Sequence, residues 1–112
     1  MSAGLVRLKR RADFLRVAAG RRRAVRDGLI LQAAPGTTDA LRVGYTASKR
    51  VGNAVLRNRA KRRLRAAAAE ILPRDGGTAV DYVLIARATT PSRPYSELVR
   101  DLATALRQLA RR

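Results

Sequence analysis

The spacing of hydrophobic and polar positions changes several times along this chain. From Arg11 to Ala19 the apolar residues Phe14, Val17 and Ala18 stand at i, i+3 and i+4, the spacing of one helix face, and Gly20 is placed to stop the helix. An apolar run at 29–33 is followed by the turn cluster Pro35-Gly36-Thr37-Thr38-Asp39 and a second extended stretch at 41–47. A loop at 48–52 leads to Asn53, a preferred cap residue, and to a helix expected to reach Ile71 and end at Pro73. Asp75-Gly76-Gly77 turns the chain. Residues 82–86 are continuously apolar, as a strand covered on both faces would be, and are expected at the centre of the sheet. A last helix is expected near Pro94, with the stripe Leu98, Leu102, Ala105, Leu106 and Leu109. The order αββαβα, without repeats or long linkers, predicts a single small α+β domain over 1–112 with helices packed on a mixed sheet.

The central helix carries the most informative pattern. With Leu56 at 0° and roughly 100° per residue, Leu56, Ala60, Leu64, Ala67 and Ile71 fall between about 0° and 80°, a narrow apolar stripe. Arg57, Lys61 and Arg65 fall at about 100° to 180°, and Arg62, Arg59 and Arg63 at about 240° to 340°. Residues 49–65 hold eight basic residues and no acid. Like charges at i,i+4 (57/61, 59/63, 61/65) weaken a helix by ~0.2–0.5 kcal/mol per pair. A merely solvated face usually alternates its signs; an all-positive one suits a phosphate backbone that will neutralise it. Asn58 lies inside this face and offers both a donor and an acceptor. It is either an ordinary surface residue or a contact to a base edge, a ribose hydroxyl or a metal-bound water. The loop Ser48-Lys49-Arg50-Val51-Gly52 brings two cations and backbone N–H groups to a helix start, a ready anion site. It is not a nucleotide-binding P-loop, because Lys49 follows Gly44 where that motif needs glycine.

Composition narrows the chemistry. Of 112 residues, 25 are Lys or Arg and 8 are Asp or Glu, a formal charge of +17, with 46% hydrophobic residues. That combination describes a folded cationic domain with a polyanionic partner, not a basic tail. There is no Cys and no His, which excludes disulfides, imidazole or thiolate metal sites, and triads built on either group. No apolar run approaches the ~18 residues of a membrane span. The stretch 1–26, with nine basic residues and Asp13 as its sole acid, has the bias of an import peptide but lacks its hydroxyl residues, so it is read as part of the fold. The acids are scattered, with Glu97 and Asp101 expected on the outer face of the last helix, so hydrolysis by clustered carboxylates is not expected.

The run 51–65, Val-Gly-Asn-Ala-Val-Leu-Arg-Asn-Arg-Ala-Lys-Arg-Arg-Leu-Arg, resembles the signature "RNR" helix of the bacterial ribonuclease P protein subunit. Arg42-Val43-Gly44 with Ser48-Lys49 before it, and Asp81-Tyr82-Val83-Leu84-Ile85-Ala86-Arg87 after it, extend the resemblance over nearly the whole chain. It implies a ribosomal protein S5 domain 2-like fold with a left-handed βαβ crossover. It also implies a cytoplasmic ribonucleoprotein that removes the 5′ leader of precursor tRNA, its chemistry carried by a catalytic RNA and Mg²⁺ held mainly by that RNA. By the same resemblance Arg57, Asn58, Arg59, Lys61, Arg62 and Arg65, with Ser48, Lys49 and Arg50 ahead of the helix, face the catalytic RNA, Asn58 standing near RNA-bound Mg²⁺. Phe14, Arg16, Gln32 and Tyr45 are assigned to a leader cleft. No cofactor held by the protein alone, no DNA and no membrane partner is expected. Ala18 and Gln32 stand where the family commonly has aromatics, which shifts leader binding from stacking toward charge. Tyr45 compensates only if its ring faces the cleft, and Phe14 serves equally well as a core residue. An rRNA-binding structural protein would share the charge but not the whole helix with both flanking strand motifs. A membrane-surface helix would need a wider apolar face with an interfacial aromatic.

Overall fold

The computed structural model describes residues 5–110. The order is β1 (Leu5–Arg7), α1 (Arg11–Ala19), β2 (Arg23–Val25), β3 (Leu29–Pro35), β4 (Leu41–Thr46), a 3₁₀ turn (Lys49–Val51), α2 (Ala54–Asp75), β5 (Val80–Ala86) and α3 (Tyr95–Ala110). The αββαβα order therefore stands with two additions: the three-residue strands β1 and β2 form the sheet's two edges. Of the segment 1–26, residues 5–26 contribute β1, α1 and β2 to the fold, and residues 1–4 lie outside the described residues. The strand order is β1-β4-β5-β3-β2, with β5 at the centre as its unbroken apolar run required. β1–β4 and β4–β5 pair parallel; β5–β3 and β3–β2 pair antiparallel. The sheet is mixed, with β4, α2 and β5 forming one crossover unit.

Strand alternation separates two apolar layers. Leu29, Leu31, Leu41, Val43, Tyr82 and Leu84 point to one face and meet Ala60, Leu64, Ala67 and Ile71 of α2 and Leu98, Leu102, Leu106 and Leu109 of α3. Both helical stripes read from the sequence are thus buried. The opposite face carries only α1, whose Val17 packs with Leu8, Ala34 and Val83, and Phe14 joins them half-buried.

Two local expectations are corrected, those for Pro73 and Asp101. Pro73 does not end α2, which runs to Asp75 and closes where the Gly76 N–H reaches the Leu72 carbonyl at 2.8 Å. Pro73 and Ala69 are both exposed, so water can serve the carbonyl that proline leaves unpaired. Gly20 stops α1 at the expected place; it does so in right-handed geometry, and the left-handed residue is Arg21 (φ 59°). Asp101 is buried instead of lying on the outer face: it accepts from the Gly28 N–H at 3.0 Å and from Arg93 Nε at 2.5 Å, tying α3 to the start of β3. Arg16, which the resemblance assigns to a leader cleft, is half-buried and paired between α1 and the sheet. Asp81, fully buried, accepts two hydrogen bonds from Arg42 (2.9 and 2.7 Å) and one from Arg16, and Asp13 pairs with both arginines.

Gly44 is required by close approach. A Cβ there would lie 2.5 Å from the ring atoms of Phe14. Gly44→Ala is expected to push Phe14 and α1 off the sheet, costing about 1–3 kcal/mol. Chemical denaturation checks the cost, and Phe14→Ala in the same background should recover part of it.

Candidate nucleic-acid interface

Two surfaces carry groups of cations that have no acid partner among the described residues. On α2 the side away from the core exposes Asn58, Arg59, Arg62 and Arg65, with Lys61 half-buried beside them. Among the described residues no ion pair or hydrogen bond engages the side chains of Asn58, Arg59, Lys61 or Arg62. Two neighbours are used by the fold. Arg57 folds back to donate to the Gly52 carbonyl at 3.0 Å, fastening the turn to the helix. Arg63, nearest the apolar stripe, donates to the Arg93 carbonyl and so ties α2 to the loop before α3.

The helix start is built by its sequence. Asn53 caps α2 by accepting from the Leu56 N–H at 3.0 Å, and the Ser48 hydroxyl accepts from the Arg50 N–H at 3.3 Å. Gly52 sits at φ 139°, where a Cβ would strike Leu56 at 2.6 Å. This tight turn leaves Lys49 and Arg50 exposed at its tip.

The second surface is the sheet face that α1 leaves open. The register gives three cross-strand rows on it. Ala34, Asp81 and Arg42 form the first, roofed by α1. Gln32, Val83 and Gly44 form the second, with Phe14 above Gly44. Val25, Ile30, Ile85 and Thr46 form the third, and Val25 is 49% exposed while Ile30 and Ile85 are half-buried. The third row runs into a hollow of about 360 Å³ walled by Ser48, Arg50 and Arg87. The result is an apolar trough between α1 and the 48–52 turn with guanidinium groups at one end. Phe14 and Gln32 lie in it or on its wall; Ala18 is exposed on α1.

Tyr45 does not face this trough. It points to the α2 side with Leu41 and Val43, and the guanidinium carbons of Arg65 and Arg7 lie 5.7 and 5.9 Å from its ring centre. Tyr45 and Phe14 meet only at the sheet's edge, around Arg7, Leu8 and Lys9. Sequence reasoning assigned no role to Arg7 or to the Val25–Ile30–Ile85 strip, because both depend on the short edge strands, and it left Arg87 as part of a motif only.

Among the described residues no group of three His, Cys, Asp or Glu side chains comes together. Asp81 shows why its neighbourhood does not offer a cation site. Burial pushes its carboxyl up, but hydrogen bonds from Arg42 and Arg16 and their charges more than reverse this, holding it below its ordinary value. No helix among the described residues is long and apolar enough to cross a membrane.

A small α+β domain with an unpaired cationic helix face and an apolar trough ending in arginines is, as a class, a nucleic-acid binder. Comparison with known proteins narrows the class. A family model described as Ribonuclease P matches residues 4–110. The "Ribonuclease P protein component" of Paramagnetospirillum magneticum is 55% identical, covering 97% of this chain and 86% of that protein. The same component from Ruegeria pomeroyi is 49% identical over 96% of this chain and 89% of its own. The Staphylococcus aureus RNase P protein structure superposes with a TM-score of 0.76 at 27% identity, covering 91% and 93% of the two chains. The Thermotoga maritima protein shares the fold at a TM-score of 0.75 and 21% identity, covering 92% and 96%. The chain belongs to the ribonuclease P protein family.

Proposed function

We propose that this chain is the protein subunit of ribonuclease P, binding a catalytic RNA through α2 and the 5′ leader of precursor tRNA through the trough. The observation that carries the reading is the unpaired cationic arc of α2, which meets the apolar trough at the Ser48–Gly52 turn. A folded RNA meets the outward arc of Asn58, Arg59, Lys61, Arg62 and Arg65, with Lys49 and Arg50 continuing that arc onto the turn. A single strand of leader lies along Val25, Ile30 and Ile85 past Phe14, its phosphates drawn to Arg50 and Arg87. Phe14 therefore has both roles, pinning α1 over Gly44 and walling the trough, whereas Arg16 supports α1 through Asp81 and Tyr45 belongs with α2.

The chain's own acids are arranged for structure. Asp13, Asp81 and Asp101 are engaged by arginines and no three acids come together among the described residues, so these residues do not fit a protein-held Mg²⁺. In this reading Mg²⁺ stays with the RNA, with Asn58 able to accept from a water on a nearby RNA-bound ion. The protein alone does not cut; it positions phosphate in the cytoplasm for hydrolysis by the RNA.

The division of surfaces is tested with two single variants in two binding assays. Arg59→Ala is expected to weaken assembly with the catalytic RNA and to change the dependence of affinity on leader length little. Phe14→Ala is expected to do the reverse, the loss matching one base contact of about 1–3 kcal/mol. Equal losses for both variants in both assays would contradict the division.

A further inference from the structure

We propose that Arg7, Tyr45 and Arg65 form a nucleotide subsite at the edge of the sheet, which takes one unstacked nucleotide of the RNA docked on α2. This rests on the reading of α2 given above and extends it to β1. A pocket of about 140 Å³ opens between β1, β4 and α2, lined by Leu5, Val43 and Ala69 together with Arg7, Tyr45 and Arg65. It lies on the opposite side of the sheet from the trough, since Tyr45 packs with the α2 layer.

Three features select the occupant. Two guanidinium groups sit within 6 Å of one tyrosine ring, at 5.9 and 5.7 Å, and among the described residues neither has a carboxylate partner. Two like charges gathered at one ring favour an anion between them. The walls below are apolar, so the ligand must also bring a flat apolar part. A nucleotide meets both demands: guanidinium forks grip phosphate oxygens and stack on bases, and the slot receives the base edge. The third feature is continuity. On the helical wheel Arg65 and Ala69 stand at roughly 180° and 220°, within the arc that holds Asn58 and Arg62 at roughly 200° and 240°. RNA lying along that arc reaches the pocket one turn beyond Arg65. A peptide carboxylate would satisfy the arginines but leave the slot empty.

The test uses the full chain and a transcript of the cognate ribonuclease P RNA, with affinity measured against salt and the RNA probed by hydroxyl-radical footprinting. Arg7→Gln removes one cation from an exposed strand position. Ala69→Leu fills the slot from an exposed helical position and leaves every charge in place. Arg62→Gln reports on the α2 surface itself, and thermal melts confirm that each variant is folded. Arg7→Gln is expected to lower affinity about three- to tenfold and the salt slope by about one. Ala69→Leu should lower affinity by a similar factor at unchanged slope, and both should expose the same one or two nucleotides, which Arg62→Gln leaves protected. Wild-type affinity and footprint for both variants, with a loss for Arg62→Gln, would overturn the subsite and leave the α2 interface standing. A loss for Arg7→Gln alone would overturn the base slot, reducing the site to a phosphate contact. Failure of the wild-type chain to bind the transcript would overturn both readings.

Discussion

Replacing Asp81 with alanine is expected to destabilise the protein by about 3 kcal/mol, the low end for breaking a buried ion pair. The low end applies because the two arginines left behind are half-buried and keep other acceptors. Asp81 is fully buried on the central strand and is the common acceptor for Arg42 from β4 and Arg16 from α1. Its removal leaves Arg42, whose side chain is 16% exposed, with the Thr37 hydroxyl at 3.0 Å and Asp13 at 3.4 Å. It also removes the Arg16 ion pair that helps hold α1, the wall of the trough, on the sheet. Asp75→Ala makes the control, because its pair with Arg74 is exposed and should contribute nothing measurable. Urea denaturation at neutral pH reads both.

The same carboxylate sets an acid limb. Arg42 and Arg16 overcome the effect of burial and hold the folded-state value of Asp81 below that of the unfolded chain. Its contribution is therefore complete above the unfolded carboxylate value of about 4 and is lost as pH falls through the lower folded value. Wild-type stability should be flat in this respect from neutral pH down to about 4 and fall below it. Asp81→Asn should lower the plateau and remove this part of the acid slope, and an unchanged slope would contradict the assignment.

The second large effect concerns α2. Arg59→Ala combined with Arg62→Ala is expected to weaken binding to the catalytic RNA by roughly tenfold for each arginine and to reduce the salt slope by about two. The fold should hold, because both side chains are exposed and neither has a partner among the described residues. Removing like charges spaced along one helix even relieves repulsion. Lower affinity in a protein of equal or higher melting temperature separates a binding face from a structural one.

The helices and the central strand were legible because each has enough residues for a period to show. The stripe of α2 from Leu56 to Ile71 and that of α3 from Leu98 to Leu109 name their buried sides, and β5 announces its place by the unbroken apolar run 82–86. β1 and β2, three residues each, are too short for alternation to register, and with them went the roles of Arg7 and Val25. The cation count was legible but its partition was not. Arg16 and Asp81 lie 65 positions apart, and only the fold shows that this arginine pairs with the central strand. Some signals were present and unread. Tyr45 shares its parity with Leu41 and Val43, which already assigned it to the core side. Asp101 stands on the border of the α3 stripe, at roughly 40° from Ala105 on a helical wheel, where an outer-face position is not expected.

The most direct test of the account is a reconstituted cleavage reaction. Precursor tRNA is incubated with the cognate catalytic RNA at low Mg²⁺, with and without a full titration of this protein, and with the protein alone. The account predicts no cleavage by the protein alone, and a rise in 5′-leader removal that saturates with protein and fades as Mg²⁺ is raised. Cleavage that is unchanged over the whole titration, or that proceeds with the protein and no RNA subunit, would contradict it.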